Sequence, residues 1–297
     1  MDINAATLSS IFTGLSTAFN QRFEAVENQY ATVAMTVPST SSSNEYPRLD
    51  DLPGIREWIG DRVLHDLSAQ TYTIRNRDFE GAIKIKRSQI EDDNIGIYSS
   101  VASDFGQQSK EFPDQLIFPL LKRGHETICY DGQNFFDTDH PGYDEAGNVI
   151  SVSNYQPGAG PAWFLIDDTR SLKPMIYQQR RTFSLVSQMN ETDPNVFNQG
   201  VYVWGVDGRG NAGFGLWQLA YMSRAPLTVE SYLAARNAMT GIRKRSGQPI
   251  NIRPSRLVVP RTLEADARQL LNAQLVNGGD SNVWFNSAEL SVIDRLN

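Results

Sequence analysis

The strongest constraint on this chain lies near its N-terminal end. Leu8, Ile11, Phe12, Leu15, Phe19, Phe23, Val26 and Tyr30 recur at steps of one, three or four residues. That is the period of one face of an α-helix, so residues 5–30 predict an amphipathic helix whose apolar stripe has to be buried on something. Pro38, Ser39, Thr40, Ser41, Ser42, Ser43, Asn44 and Glu45 follow, a polar tract that reads as a flexible or extended linker. Two readings stay open: a surface helix packed on its own domain, or an arm held away from the body that packs on a neighbouring copy.

Residues 69–87 pose the same question. Gln70-Thr71-Tyr72-Thr73-Ile74-Arg75 alternates, Asn76-Arg77-Asp78-Phe79-Glu80-Gly81 carries turn residues, and Ala82-Ile83-Lys84-Ile85-Lys86-Arg87 alternates again. This predicts a β-hairpin with Ile83 and Ile85 on one face and Lys84 and Lys86 on the other. An isolated two-stranded ribbon is marginal in water, so it needs either its own sheet or another copy of the chain.

The remainder supplies enough chain for a real core. Of 297 residues, 40% are hydrophobic and 21% charged, near the globular average, which excludes a wholly disordered or fibrous protein. The formal net charge of -7 opposes general attraction to nucleic acid or anionic membranes. A single cysteine, Cys129, excludes an intrachain disulfide, and three histidines beside it are too few soft ligands for a structural zinc site. No positive charge precedes Arg22 and no apolar run reaches bilayer length, so synthesis and use in the cytosol are expected.

Residues 94–123 read as a long helix, with Tyr98, Val101, Phe105, Phe112 and Leu116 on one face and Pro113 expected to bend or split it. From 125 to 227 the pattern is mostly short strands and loops, clearest at Lys173-Pro174-Met175-Ile176-Tyr177 and Val201-Tyr202-Val203-Trp204. A helix at 228–241, a strand at Leu257-Val258-Val259, a helix at 262–274 and a final strand around 283–292 complete the reading. Helices and strands without regular alternation indicate an α+β fold.

Four constellations could carry chemistry. Gly208-Arg209-Gly210-Asn211-Ala212-Gly213 has the spacing of a dinucleotide-binding loop. That loop needs a helix after the third glycine and an acid on the next strand, whereas Phe214-Gly215-Leu216-Trp217 and Pro226 follow here, so a glycine-rich loop or hairpin is the better reading. Asp131, Asp137, Asp139 and His140 could hold a hard cation or serve a metal-dependent hydrolase, but aspartates in such a loop also cap turns. Cys129 with His125 could be a nucleophile and base, although Ile128 and Tyr130 beside it fit an inert, buried thiol. Arg243, Lys244, Arg245, Arg253, Arg256 and Arg261 form a basic band without an acid, suited to an acidic face on a neighbouring copy. No catalytic, cofactor-binding or metal-binding residue is assigned, and no enzyme activity is expected.

A family resemblance rests on segments in a fixed order. They are Pro38-Ser39 and Tyr46, Trp58-Ile59-Gly60-Asp61-Arg62, Phe79-Glu80, Ile90-Glu91-Asp92-Asp93 and Pro113-Asp114. Tyr130-Asp131-Gly132-Gln133-Asn134-Phe135-Phe136, His140-Pro141, Gly205-Val206-Asp207-Gly208-Arg209 and Trp217-Gln218-Leu219-Ala220 continue the set. Together they resemble the major head subunit of Mu-like phages and prophages, the gpT family, over nearly the whole chain.

The resemblance implies the Hong Kong 97-like tailed-phage capsid fold. Its parts would be an N-terminal arm and linker (1–57), an extended-loop hairpin (58–93), a peripheral domain with a spine helix (94–227), an axial domain (228–275) and a strand returning to the peripheral domain (276–297). It further implies hexamers and pentamers of the chain itself, forming an icosahedral shell around double-stranded DNA within a bacterial host's cytoplasm. A scaffold protein, a maturation protease, a portal and a decoration protein would be the partners, with DNA held only non-specifically and no membrane involved. An encapsulin-like compartment of the same fold is the runner-up. On this reading, deletion of residues 1–45 should spare folding but spoil uniform particles, and Ile83→Asp with Ile85→Asp should impair assembly more than folding.

Overall fold

The structure is a computed structural model that describes residues 4–47, 71–92, 96–276 and 279–297. The Trp58-Ile59-Gly60-Asp61-Arg62 segment, the start of the ribbon expected at 69–87 and the first residues of the helix expected at 94–123 lie outside the described residues.

Helix α1 (Ala5–Ala25) starts where the Asn4 side chain accepts the Thr7 backbone N–H at 2.9 Å, satisfying one of the donors that every helix start leaves unpaired. A 3-10 turn at Tyr30–Thr32 follows, then β1 (Ala34–Pro38), β2 (Ser43–Pro47), β3 (Thr71–Arg75) and β4 (Arg77–Lys86). Two helices come next, the short α2 (Arg87–Glu91) and the long α3 (Gly96–Lys122). β5 (His140–Tyr143), β6 (Val149–Val152), β7 (Tyr155–Gln156) and β8 (Trp163–Ile166) lead to two strands of 14 residues, β9 (Met175–Gln188) and β10 (Val201–Phe214), with α4 (Pro194–Gln199) between them. The chain closes with β11 (Ala220–Ser223), α5 (Val229–Thr240), β12 (Arg256–Val259), α6 (Glu264–Leu271), β13 (Leu275–Val276), β14 (Asp280–Ser281) and β15 (Glu289–Val292).

Two sheets organise these elements. One is ordered β1-β9-β10-β4, with β1 parallel to β9 and the other pairs antiparallel. The other is ordered β15-β12-β8-β11-β7. It draws strands from residues 94–227, 228–275 and 276–297, so those segments share one sheet rather than packing as separate bodies. β8 is buried along its whole length because α5 and α6 belong to the same apolar cluster as this sheet; the continuous run Trp163-Phe164-Leu165-Ile166 is what a strand covered on both faces requires.

The structure bears on the open readings and corrects several expectations. α1 lies along α3 of its own chain, burying Leu8, Leu15 and Phe19. The approach is close: a Cβ on Gly106 of α3 would sit 2.4 Å from the carbonyl oxygen of Phe19. The stripe is thus satisfied within the chain. The serine tract is not a free tether either. Ser39 is buried and takes a hydrogen bond from the Asn76 side chain at 2.9 Å, while its own backbone N–H donates to the Gln179 carbonyl at 2.9 Å.

The hairpin at 69–87 does not form. Both alternating runs are strands, but β3 pairs with β2 and β4 with β10. The turn residues Asn76 to Gly81 are overridden because inward alternation continues through Phe79, Gly81, Ile83 and Ile85. Phe79 meets the Phe112 ring at 4.5 Å, and a Cβ on Gly81 would meet the Phe105 ring at 3.1 Å. In α3 the expected split at Pro113 is absent, since the helix runs unbroken through Pro113 and Pro119. Its buried residues are Ala102, Gly106, Ser109, Pro113, Asp114, Ile117, Phe118 and Leu121, while Tyr98, Phe105, Phe112 and Leu116 of the expected stripe are half-buried and Val101 is exposed. Small residues at this spacing let α1 approach, and the aromatics Phe105 and Phe112 turn to the strands.

Candidate functional site

The residues with catalytic potential are placed first, because their surroundings decide what they do. Asp131 and His140 are fully buried, with Asp131 Oδ2 2.7 Å from His140 Nδ1. The imidazole stacks on Trp217 with ring centres 4.0 Å apart, and among the described residues its Nε2 has no hydrogen-bond partner. The Cys129 thiol donates to Asp131 Oδ1 at 3.0 Å. Burial works to raise the Asp131 pKa, but the hydrogen bonds from His140 and Cys129 together outweigh it and hold the carboxyl below its ordinary value. Burial, and then the negative charge of Asp131, push the Cys129 thiol up, away from the reactive thiolate.

His125 takes no part in this group: its Nδ1 lies 3.1 Å from the Lys122 carbonyl and its ring stacks on Tyr155. Asp137 uses its two oxygens on the backbone N–H groups of Thr138 and Asn134, the turn-capping role, and Asp139 is exposed. Among the described residues no three of these side chain types gather as a metal site, so the arrangement a metal-dependent hydrolase needs is not assembled. What Asp131, Cys129 and His140 do is pin the loop after α3 beneath Trp217.

The glycine motif is not a loop. Gly208, Gly210 and Gly213 lie inside β10, where register shifts between Asp207 and Gly210 bend the pairing with β9. A Cβ at Gly208 would strike the Phe183 ring at 2.8 Å, at Gly210 the Gln178 carbonyl at 2.5 Å and at Gly213 the Ile74 side chain at 2.1 Å. Gly208 and Gly210 admit close neighbours across the irregular β9–β10 pair, and Gly213 admits a side chain of β3. No helix N-terminus follows for a phosphate to meet.

The surface offers more than the interior. Within the basic band Arg243 pairs with Glu145, Arg256 with Asp168 at 2.6 Å and with Glu289, and Arg261 with Asp294 at 3.9 Å. Among the described residues Lys244, Arg245 and Arg253 have no ion-pair partner. Large apolar side chains stand in water as well, Val283 at 82% and Phe197 at 81% exposure, with Val229, Leu233 and Leu275 also exposed. Val229 and Val283 line one groove of about 330 Å³ beside Leu270 and Trp284. Exposed apolar groups that cluster mark contact surfaces. Sequence reading missed them because Val283 carries the same letter whether it is inside or out.

The comparisons come to the same outer surface from relatives that build shells. The profile of the Mu-like prophage major head subunit gpT matches residues 8–296. The chain belongs to this family. The Mu-like prophage FluMu major head subunit of Haemophilus influenzae is 39% identical over 275 residues, covering 90% of this chain and 89% of that protein. The major capsid protein of Escherichia phage Mu is 36% identical across the full length of both. A chain of the bacteriophage JBD30 procapsid superposes with a TM-score of 0.89 at 41% identity, covering 99% of this chain and 100% of that one. A chain of the JBD30 capsid gives 0.79 at 30% identity, covering 100% of both.

The head subunit therefore has the Hong Kong 97-like capsid fold, and its α+β class is the one expected. An encapsulin-like compartment is not favoured, since the family and the named relatives are phage head proteins. The head subunit is a component of a phage capsid, built by self-assembly, and none of its described helices is long and apolar enough to cross a membrane.

Proposed function

We propose that the head subunit assembles as hexamers and pentamers into an icosahedral shell that encloses double-stranded DNA in a bacterial host, with no catalytic step of its own. The observation that carries this reading is the match to a procapsid chain over 99% of the length at a TM-score of 0.89. As functional segments, residues 1–57 serve as arm and linker, 58–93 as the extended loop, 94–227 as the peripheral region around the α3 spine and 228–275 as the axial region, while 276–297 returns to the shared sheet. Residues 58–70 of the loop segment lie outside the described residues. The packing of α1 on α3 of its own chain supports an arm that stiffens the subunit it belongs to.

Assembly in the host cytoplasm uses a scaffold protein, a maturation protease and a portal supplied separately. One solved relative, the JBD30 capsid decorated with minor capsid protein trimers, supports a decoration partner here. With a formal net charge of -7, the shell holds packaged DNA by enclosure and not by affinity. Negative-stain microscopy of the expressed protein, alone and with its scaffold, tests the reading. Uniform closed particles are expected, and a uniform population of single subunits under both conditions overturns it.

A further inference from the structure

The axial region carries two unlike poles on one helix. At the N-terminal end of α5, the exposed side chains Val229 and Val283 border the groove beside Trp284. The exposed acid Asp266 lines it, and the exposed acids Glu230 and Asp280 are the chain neighbours of its lining residues Val229 and Ser281. None of the three has an ion-pair partner among the described residues. Beyond the C-terminal end of α5, Lys244 and Arg245 sit on a tight turn and Arg253 on the same loop, also without ion-pair partners among the described residues. The 12 residues of α5 separate the poles by about 18 Å at 1.5 Å per residue.

Both poles are held in place. The basic turn is closed by Lys244 N–H to the Gln248 carbonyl and Gly247 N–H to the Lys244 carbonyl, each 2.8 Å, and it is anchored on the neighbouring loop by the Arg243–Glu145 ion pair. Arg236, midway along α5, donates to the Pro254 carbonyl at 3.0 Å and the Ser287 carbonyl at 3.3 Å. It thereby ties the basic loop and the segment bearing Val283 and Trp284 to one helix. Rigid, oppositely charged surfaces lose little freedom on docking.

We infer that the acid-rimmed groove of one subunit receives the Lys244, Arg245 and Arg253 loop of the next copy, so that axial regions join head to tail in a ring; this rests on the shell reading above. A twofold contact is excluded by charge, because acid pole on acid pole or basic turn on basic turn places like charges together. Unlike poles on one molecule generate heterologous contacts, and these close into rings when the rotation per step allows. The occupant is thus a second copy. It supplies three cations for three acids, and the main chain of its turn covers the exposed apolar edge.

Reversal of charge tests this directly. Lys244→Glu, Arg245→Glu and Arg253→Glu together, or Glu230→Lys, Asp266→Lys and Asp280→Lys together, change only surface groups, so each variant subunit should melt within a few degrees of the parent. Each set alone should cut the yield of closed particles roughly tenfold or more, as like charges then face one another at every contact. Both sets combined in one chain restore opposite charges at each contact and should recover particles. Parent-like yield from either half alone overturns the inference, as does a combined variant no better than its halves, the result expected if the loop binds nucleic acid instead. If the unmodified chain makes no particles, the shell reading itself fails first.

Discussion

Gly106 is the residue on which the packing of the N-terminal helix turns. Its missing Cβ leaves room for the Phe19 carbonyl, which would stand 2.4 Å away, and the obstruction is backbone that cannot swing aside. Gly106→Ala gains helix propensity, about 1 kcal/mol, but forces α1 off α3; a net loss of about 1–2 kcal/mol is expected from overpacking and is readable as a lower melting temperature. Two buried carboxyls predict opposite pH behaviour. Asp131 is held below its ordinary value of 3.8, so the stability it contributes is complete above that value and is lost as pH falls through its lowered pKa. Asp114 is raised above 3.8 by burial, against the Tyr30 and Gln29 N–H groups that favour its charge. Its contribution is complete below 3.8 and is lost as pH rises through the raised pKa. Melting curves across pH should show Asp131→Asn removing part of the acid-side loss. Asp114→Asn, which keeps an acceptor for the Tyr30 N–H at 2.7 Å, should remove part of the loss on the rising side. Unchanged profiles in both variants contradict these assignments.

At the scale of elements, the packing of α1 on α3 and the pairing of β4 with β10 change what deletion and substitution should do. Leu8, Leu15, Ile85, Ile90, Tyr202 and Trp204 form one apolar cluster beneath α1. Phe19→Ala should cost about 3–5 kcal/mol, and Ile85→Asp, which buries a charge without a partner, should destabilise the isolated subunit at least as much as it impairs assembly. Chemical denaturation of the soluble subunit checks both; parent-like midpoints would return α1 and β4 to an inter-subunit role. Deletion of residues 1–45 should accordingly lower folding stability before any effect on particles is measured. The helix periods were readable in advance: α5, expected at 228–241, spans Val229–Thr240, and the stripe of α1 is the face it buries. Strand pairing was not. Val201 to Phe214 reads as a short strand running into a glycine loop because turn propensity is local, whereas the fit of Gly208 to Phe183 and of Gly213 to Ile74 is a long-range fact. The cluster of Asp131, Asp137, Asp139 and His140 stayed open for the same reason, since adjacency in sequence does not place side chains together, and of the three aspartates it is Asp131 that partners His140.

For the whole molecule, function lies on the outside. One apolar core joins the five-stranded sheet, α5, α6 and the C-terminal half of α3, so the head subunit offers a rigid body that carries charged and apolar groups on its surface. Rigid bodies with unlike faces build closed assemblies from repeated weak contacts, each needing only modest area. Self-association should therefore weaken with added salt to the extent that the charged poles carry it. Cryo-microscopy of the assembled particles tests the account most directly. It predicts a closed icosahedral shell in which α1 lies on α3 of its own subunit and the Lys244–Arg245 turn meets the Val283 groove of the next subunit around each ring. Particles in which α1 crosses to a neighbour, or preparations that hold only single subunits, would contradict it.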